Sequence, residues 1–433
     1  MANIIVLGAG LGGTAAAYEI HAALGEDHEV TVVGDGPRFN FTPSNPWLAI
    51  GWRKRDDIGF AIGERLEHRG IRFIDVPAEK VLPAENRLRL RDGRILDYDY
   101  LVIATGPRLA FDEVPGLGPD GHTHSICTAE HAQRAWEAYQ AFLANPGPVV
   151  VGAAQGASCF GPAYEFALIL DADLRKRKLR DRVPITFVSS EPYIGHMGLG
   201  GVGDSKGLME HELRQRDIKW IVNAKLLAAE AGKLKLQEVD AKGAPAGETE
   251  LPFAFAMLLP AFTGVDAVRG IDGLTNPRGF VLIDQHQRNP RFANVFAAGV
   301  CVAIPPVEAT PVPTGAPKTG FMIESMVTAI AHNLRDELAG KPGEARATWN
   351  AVCLADMGNT GVAFVALPQI PPRNVTWAKE GRWVHLAKLA FEKYYLHKIR
   401  SGHTEPVYEK YAFKLLGIER LRPPAKHLEG DLP

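Results

Sequence analysis

Short apolar runs, glycine turns and helix-spaced apolar stripes alternate along this chain. Residues 4–7 are wholly apolar and read as a buried strand. The run Gly8-Ala9-Gly10-Leu11-Gly12-Gly13 follows, then a helical stretch over 14–24 and a second strand over 29–33. That is a βαβ opening. Residues 101–104 form another apolar strand, ending on Thr105-Gly106-Pro107. After Asn145-Pro146-Gly147-Pro148 the pattern starts again, with a strand at 149–151, a glycine turn and helix, and a strand at 185–189. The expected fold is α/β, with two tandem Rossmann-like dinucleotide-binding domains.

Further on, residues 234–250 read as a hairpin turning at Ala241-Lys242-Gly243, and 253–259 and 294–298 as buried strands. The Pro-rich segment 305–317 leads into a helix over 321–338. From about residue 348 the character changes: a strand-like 362–367 gives way to a basic, aromatic-rich tail. The division expected is a discontinuous cofactor domain (1–115 with 291–347), a second Rossmann-like domain (116–290) and a C-terminal region (348–433).

That tail concentrates charge. From Arg373 to Lys426 there are twelve Lys/Arg against five acids, in a chain of net charge −2. On a helical wheel Trp383, Val384, Leu386, Ala387, Ala390, Phe391, Tyr394 and Tyr395 share one half. Arg382, His385, Lys388, Glu392, Lys393 and Arg400 take the other, with Lys398 out of place. Tyr408, Tyr411, Ala412, Leu415 and Leu416 make a second stripe. A basic amphipathic pair with interfacial aromatics suits the headgroup layer of an anionic membrane. The other reading is packing on the chain's own core or on another subunit of a homo-oligomer.

Composition narrows the partners. The near-neutral charge argues against nucleic acid. Met1-Ala2-Asn3 runs straight into the first apolar run, so no secretory leader is expected. No apolar stretch reaches the roughly 20 residues of a spanning helix, which leaves peripheral, monotopic contact with the cell membrane. Four cysteines, at 127, 159, 301 and 353, are too scattered for a disulfide scaffold and lack metal-ligand spacing.

The first glycine loop sits between a strand and a helix, the context in which G-x-G-x-x-G binds a pyrophosphate. Gly8 permits the tight turn, Gly10 lets backbone approach the phosphates, and the helix start favours their charge. The acid that usually ends the second strand comes one place late, as Gly34-Asp35, so ribose binding falls to Asp35 or to backbone. The second loop, Gly152-Ala153-Ala154-Gln155-Gly156-Ala157-Ser158, lacks glycine where a pyrophosphate needs it. Its next strand ends Val188-Ser189-Ser190, without an acid. One loop for a resident cofactor and none for NAD(P)H is the expectation.

Thr105-Gly106 and Phe296-Ala297-Ala298-Gly299 resemble the flavin-side turns of two-dinucleotide-domain flavoproteins. Val300 stands where that family usually has a ribityl-binding aspartate, and Phe41-Thr42-Pro43-Ser44-Asn45-Pro46-Trp47 holds no redox cysteine pair. Cys159 lies just before Pro162 at a helix start, a place that can lower a thiol pKa. Cys353 follows the helix over 321–338 at a distance, so only the fold can join the two.

Several uncommon strings then carry a narrower resemblance. Ser125-Ile126-Cys127-Thr128, Gly156 through Pro162, Ser190 through His196, and the segments 310–324 and 349–358 closely resemble the bacterial, membrane-bound sulfide:quinone oxidoreductases. The resemblance implies FAD as cofactor, sulfide and quinone as substrates, and polysulfide or elemental sulfur as product. It implies that Cys159 and Cys353 carry a sulfur bridge, with Cys127 assisting. Hydrosulfide attack on such a bridge leaves one thiolate and one persulfide. His131, His196 and Glu165 are candidates to move protons. Cys301 reads as a small buried residue.

By the same resemblance, the flavin nucleotide is held by Gly8, Gly10, Leu11, Gly12, Gly13, Gly34, Asp35, Thr42, Pro43 and Ala78. Thr105, Gly106, Gly299, Lys318 and Gly320 would line its ring, with Lys388 facing it. The helix start at Lys318–Gly320 would stabilise negative charge on the reduced ring. Phe41 and Phe391 would sandwich the quinone, and Tyr408 would offer it a polar handle. Two enzyme readings compete: a type II NADH:quinone oxidoreductase, and a flavocytochrome-type sulfide dehydrogenase subunit. The spoiled second loop opposes the first, and the tail opposes the second. A flavoprotein kept only as a scaffold would not need three cysteines in these contexts.

Overall fold

The structure is a computed structural model, described over residues 1–403 and 419–422. Its first sheet is fully parallel, in the order Val295–Ala297, Tyr100–Ile103, Asn3–Leu7, Glu29–Val33, Arg72–Ile74. Strands of Val, Ile and Leu buried on both faces suit such a sheet. It draws four strands from the start of the chain and one from nearly 200 residues later. The second sheet repeats the plan with Ile218–Ile221, Ile185–Ser189, Val149–Ala153 and Phe255–Leu259, again all parallel. Each sheet has its own apolar core.

The first helix runs Leu11–Leu24, three residues earlier than the pattern suggests, so Leu11, Gly12 and Gly13 form its opening turn. Gly13 is there because a Cβ would stand 1.9 Å from the carbonyl oxygen of Gly8, and Gly8 itself has φ +120°. The hairpin Lys233–Val239 with Pro245–Pro252 stands where expected and is joined by Ala224–Glu230.

After residue 348 the expectation of one strand understates the structure. Ala351–Asp356, Gly361–Leu367 and Val375–Glu380 form an antiparallel sheet. The helix Arg382–Ser401 then lies across both domains: Tyr395, Leu396 and Ile399 enter the first core and Leu389 packs on the second.

The wheel reading of that helix is corrected by the fold. Lys388 and Glu392, expected to face water, are 4% and 5% exposed, and Lys398, the charge out of place on the apolar half, is 1% exposed, whereas Trp383, Leu386 and Phe391 are 49%, 63% and 39% exposed. Ion pairs account for the inversion, since each buried charge meets a partner on another element: Lys388 with Glu165, Glu392 with Arg53, Lys398 with Glu324. Tyr408 and the second stripe lie outside the described residues. Among the described residues no helix is long and apolar enough to cross a membrane.

Candidate functional site

The glycine loop has the shape of a phosphate cradle. Gly8 N–H donates to Val33 O at 2.8 Å, fixing the turn against the second strand. A Cβ on Gly10 would meet nothing within 4 Å, so the space over the loop is open to a ligand. No side chain caps the helix start at Gly10, and no acid stands in its first turn. Those first N–H groups are left for an anion. Gly12 packs on Ile323, whose side chain also lies against Gly299, which ties the loop to the helix Gly320–Leu338. At that helix's start the hydroxyl of Thr319 is buried without a partner. Asp35 is exposed at the end of its strand, Thr42 is exposed, and Ala78 begins the strand Ala78–Leu82.

The second loop is closed by the chain itself. The Gln155 side chain makes two hydrogen bonds to the backbone of Leu226, at 2.9 and 3.0 Å. Gly156 N–H donates to Pro313 O at 2.7 Å, and Gly315 N–H to Ala157 O at 2.8 Å. The segment around Pro313–Gly315 is thus bonded to the loop from both sides and takes Gly156 N–H, a donor that a second dinucleotide's phosphates would need.

Beyond this plug the loop carries Cys159 to the start of the helix Gly161–Lys176. The edge strand Ala351–Asp356 brings Cys353 to the same place, 4.0 Å from where a Cβ on Gly161 would stand. Cys353 and Cys127 both act electrostatically on the Cys159 thiol, and Lys318 opposes them. Three cysteines far apart in sequence therefore share one site.

The three thiols are half-buried, and their surroundings oppose ionisation. Surrounding protein pushes Cys159 up to about 12 and Cys127 to about 11, and raises Cys353. Desolvation is the main cause, and it outweighs the opposing pull of Lys318 on Cys159. Lys318 is itself pushed down to about 8 by burial, with Cys301 and Cys159 acting the other way. Cys301 is fully buried, its thiol 3.3 Å from Ile103 O, in line with a core role.

Glu165, one turn into the helix after Cys159, forms a buried ion pair with Lys388. Both charges act on Cys353. Burial pushes Glu165 up to about 7 although Lys388 pulls the other way. Lys388, expected to face the flavin, engages Glu165 and lies over the Trp47 ring at 5.1 Å.

The pattern of the sequence gives no hint of the wall beside it. Trp47 Nε1 donates to Asp356 Oδ2 at 2.8 Å, and His385 Nδ1 lies 2.7 Å from Asp356 Oδ1. A cleft of about 790 Å³ lined by Trp47, Trp52, Arg53, Asp356 and His385 opens beyond that wall, and none of the cysteines lines it. A tryptophan, an aspartate and a histidine 309 and 29 positions apart carry no motif.

The two histidines are placed differently from Glu165. His131 sits in the first turn of the helix Ala129–Ala144, against Phe111, with its Nδ1 buried and unpartnered. His196 is buried and bonded to Glu308 at 2.8 Å. Burial lowers the pKa of both. Phe41 is buried and its ring centre lies 5.8 Å from that of Phe391, at 60°. A planar ring between them needs about 7 Å, so here the two rings touch each other instead.

Residues 2–332 match the pyridine nucleotide-disulphide oxidoreductase family. The sulfide-quinone reductase of Aquifex aeolicus is 43% identical over 416 residues, 95% of this chain and 94% of that protein. The X-ray structure of the Aquifex aeolicus sulfide:quinone oxidoreductase superposes with a TM-score of 0.94, covering 99% of each chain at 42% identity. The mouse mitochondrial sulfide:quinone oxidoreductase is 24% identical over 70% of this chain and 66% of its own. A Plasmodium falciparum NDH2 shares the fold alone, at 14% identity and a TM-score of 0.71. The chain belongs to the pyridine nucleotide-disulphide oxidoreductase family and, within it, to the sulfide:quinone oxidoreductases.

Proposed function

We propose that this chain is an FAD-dependent enzyme that oxidises sulfide to polysulfide or elemental sulfur and reduces quinone at a membrane surface. The observation that carries the reading is the shared site of Cys159, Cys353 and Cys127 beside the Glu165–Lys388 pair. The plugged second loop supports it, since an NADH-driven enzyme needs those backbone groups free.

Gly8, Gly10, Leu11, Gly12 and Gly13 hold the cofactor's phosphates, and Gly34 and Asp35 face its ribose. Thr42, Pro43, Ala78, Thr105, Gly106, Gly299, Lys318 and Gly320 complete the site. The open space over Gly10, the uncapped helix and the unpartnered Thr319 hydroxyl fit such a group. When bound, the flavin accepts two electrons from the cysteine site and releases them to quinone.

Cys159 and Cys353 hold a sulfur bridge that hydrosulfide opens, giving a persulfide on one cysteine and a thiolate on the other. The thiolate is costly in so desolvated a place, and Lys318 beside Cys159 and Lys388 beside Cys353 offset that cost. Glu165, poised near neutrality, takes the proton. Phe41 and Phe391 receive the quinone ring, with Tyr408 as a polar handle. The exposed Trp383, Leu386 and Phe391 lie in the headgroup layer, among Arg382, Lys393 and Arg400.

The test is an anaerobic titration. Sulfide should bleach the flavin absorbance, a short-chain quinone should restore it, and NADH should do nothing. Bleaching by NADH and not by sulfide overturns the reading.

A further inference from the structure

The aromatic cluster beneath the exposed face of the helix Arg382–Ser401 contains a polar atom with nothing to bond. Tyr395 is 2% exposed and its hydroxyl is buried without a hydrogen-bond partner. Its ring centre lies 5.2 Å from that of Phe41 and 5.7 Å from that of Phe391. A phenol this deeply buried ordinarily finds an acceptor, because an unpaired hydroxyl forfeits its bond to water. Burial and the carboxylates of Glu324 and Glu19 raise its pKa well above the ordinary value, against the pull of Arg420. It stays protonated and can only gain by donating.

Unpartnered hydroxyls also occur on Tyr18 and Tyr98, so the orphaned atom alone assigns nothing. Position distinguishes Tyr395. Outward, it touches Phe391, which is 39% exposed on the same helix as Trp383 and Leu386. Inward, the stronger in effect of the two carboxylates that act on its hydroxyl belongs to Glu324, one turn into the helix that starts at Gly320, and the other to Glu19 on the helix Leu11–Leu24. The helix that starts at Gly320 also packs Ile323 against Gly12 of the phosphate loop. A molecule spanning the two is flat and apolar, enters from the exposed face and carries an oxygen acceptor at its inner end. A quinone ring has those properties.

On the quinone reading given above, we propose that Tyr395 donates a hydrogen bond to a carbonyl oxygen of the quinone and so fixes the ring between the membrane face and the cofactor. Phe391 swings from its contact with Phe41 to admit the ring, and the Tyr395 hydroxyl gains its partner only then. Tyr395 is thus a binding residue of the oxidative half of the reaction and has no part in the sulfide half.

The experiment compares wild type with Tyr395→Phe, which keeps the ring and removes one oxygen. Each protein is reduced anaerobically with sulfide, then mixed with a short-chain benzoquinone over a range of concentrations, and separately with ferricyanide. The expected result is unchanged bleaching by sulfide, unchanged reoxidation by ferricyanide, and a KM for quinone raised about tenfold, the effect of one lost hydrogen bond. Without quinone, Tyr395→Phe should melt no lower than wild type, because no internal bond is lost. An unchanged quinone KM, or a lower melting temperature that reveals an internal partner, overturns the proposal while leaving the sulfide:quinone reading intact. Sulfide-reduced wild type that ferricyanide reoxidises and quinone does not overturns both.

Discussion

Lys388 and Glu165 form an ion pair across 223 positions of sequence, and each side chain is only 6% exposed. A buried pair gains little over an apolar one, but breaking it strands a charge. Lys388→Met should therefore lower unfolding free energy by about 3–5 kcal/mol, and Glu165→Leu added to it should restore most of that. The deficit should grow as pH rises above about 7: wild type loses stability only up to that pH, where its Glu165 ionises, whereas without Lys388 to pull the carboxyl pKa down the variant goes on losing stability to higher pH. Denaturant melts of the two variants at pH 5.5 and 8 measure both effects.

Glu165 as the proton acceptor makes a kinetic prediction of the same sign. It must be ionised to act, so sulfide-driven bleaching should rise with pH through about 7. Hydrosulfide itself titrates near neutrality, so the informative quantity is the ratio of wild type to Glu165→Gln at each pH. That ratio should climb across the window and level off above it. A ratio flat from pH 6 to 8 removes Glu165 from the reaction.

The cysteines should separate by role. Cys159→Ser and Cys353→Ser should abolish bleaching by sulfide while the protein retains its flavin, Cys127→Ser should slow it, and Cys301→Ser should leave it near wild type. With Cys159 held up to about 12, the reduced enzyme should also resist alkylation at neutral pH. Iodoacetamide labelling should then accelerate about tenfold per pH unit up to pH 10. Rapid labelling of Cys159 at pH 7 contradicts the desolvated thiol.

What the sequence makes legible here is local. The strand–glycine–helix opening, the repeat of that plan after Pro148 and the hairpin around Lys242 all depend on neighbours in the chain, and each appears in the structure. The inward turn of Lys388 and Glu392 depends on an acid and an arginine elsewhere in the fold, which a helical wheel does not contain. The same holds for the Cys159 pKa. The helix start beside it can be read from Pro162, but Cys353, Cys127 and Lys318, which also act on the thiol, come from segments far away in sequence. Trp47, Asp356 and His385 escape notice for that reason too.

The second loop makes a negative prediction. Gln155→Gly restores a glycine near the place a pyrophosphate needs, yet Gly156 N–H stays committed to Pro313 and Gly315 N–H to Ala157. Neither wild type nor Gln155→Gly should be bleached by NADH, and equilibrium dialysis should detect no NADH binding to either. Measurable binding to Gln155→Gly alone would mean that the Gln155 side chain, rather than the backbone plug, keeps the site shut.

The exposed row on the helix Arg382–Ser401 gives the last prediction. Trp383 and Leu386 are 49% and 63% exposed, although the buried side of the same helix holds Lys388, Glu392 and Lys398. The buried side also holds Val384, Tyr395, Leu396 and Ile399, so no rotation of the helix hides all its large apolar groups from water. The apolar surface left outward is what suits an outer medium that is partly lipid. Fully burying such a side chain contributes about 1.5–3 kcal/mol, so each change to serine should weaken binding to vesicles by roughly tenfold or more. Arg382 and Lys393 flank the row, so affinity should also rise with anionic lipid and fall with salt. Co-sedimentation with phosphatidylcholine vesicles, with and without phosphatidylglycerol, separates the two contributions. The serine variants should lose affinity equally on both vesicle types, and Arg382→Gln with Lys393→Gln should lose it on anionic vesicles alone. If the serine variants bind neutral vesicles as well as wild type does, the membrane-facing role of this row is wrong, and the exposed side chains are better sought in a contact with another protein.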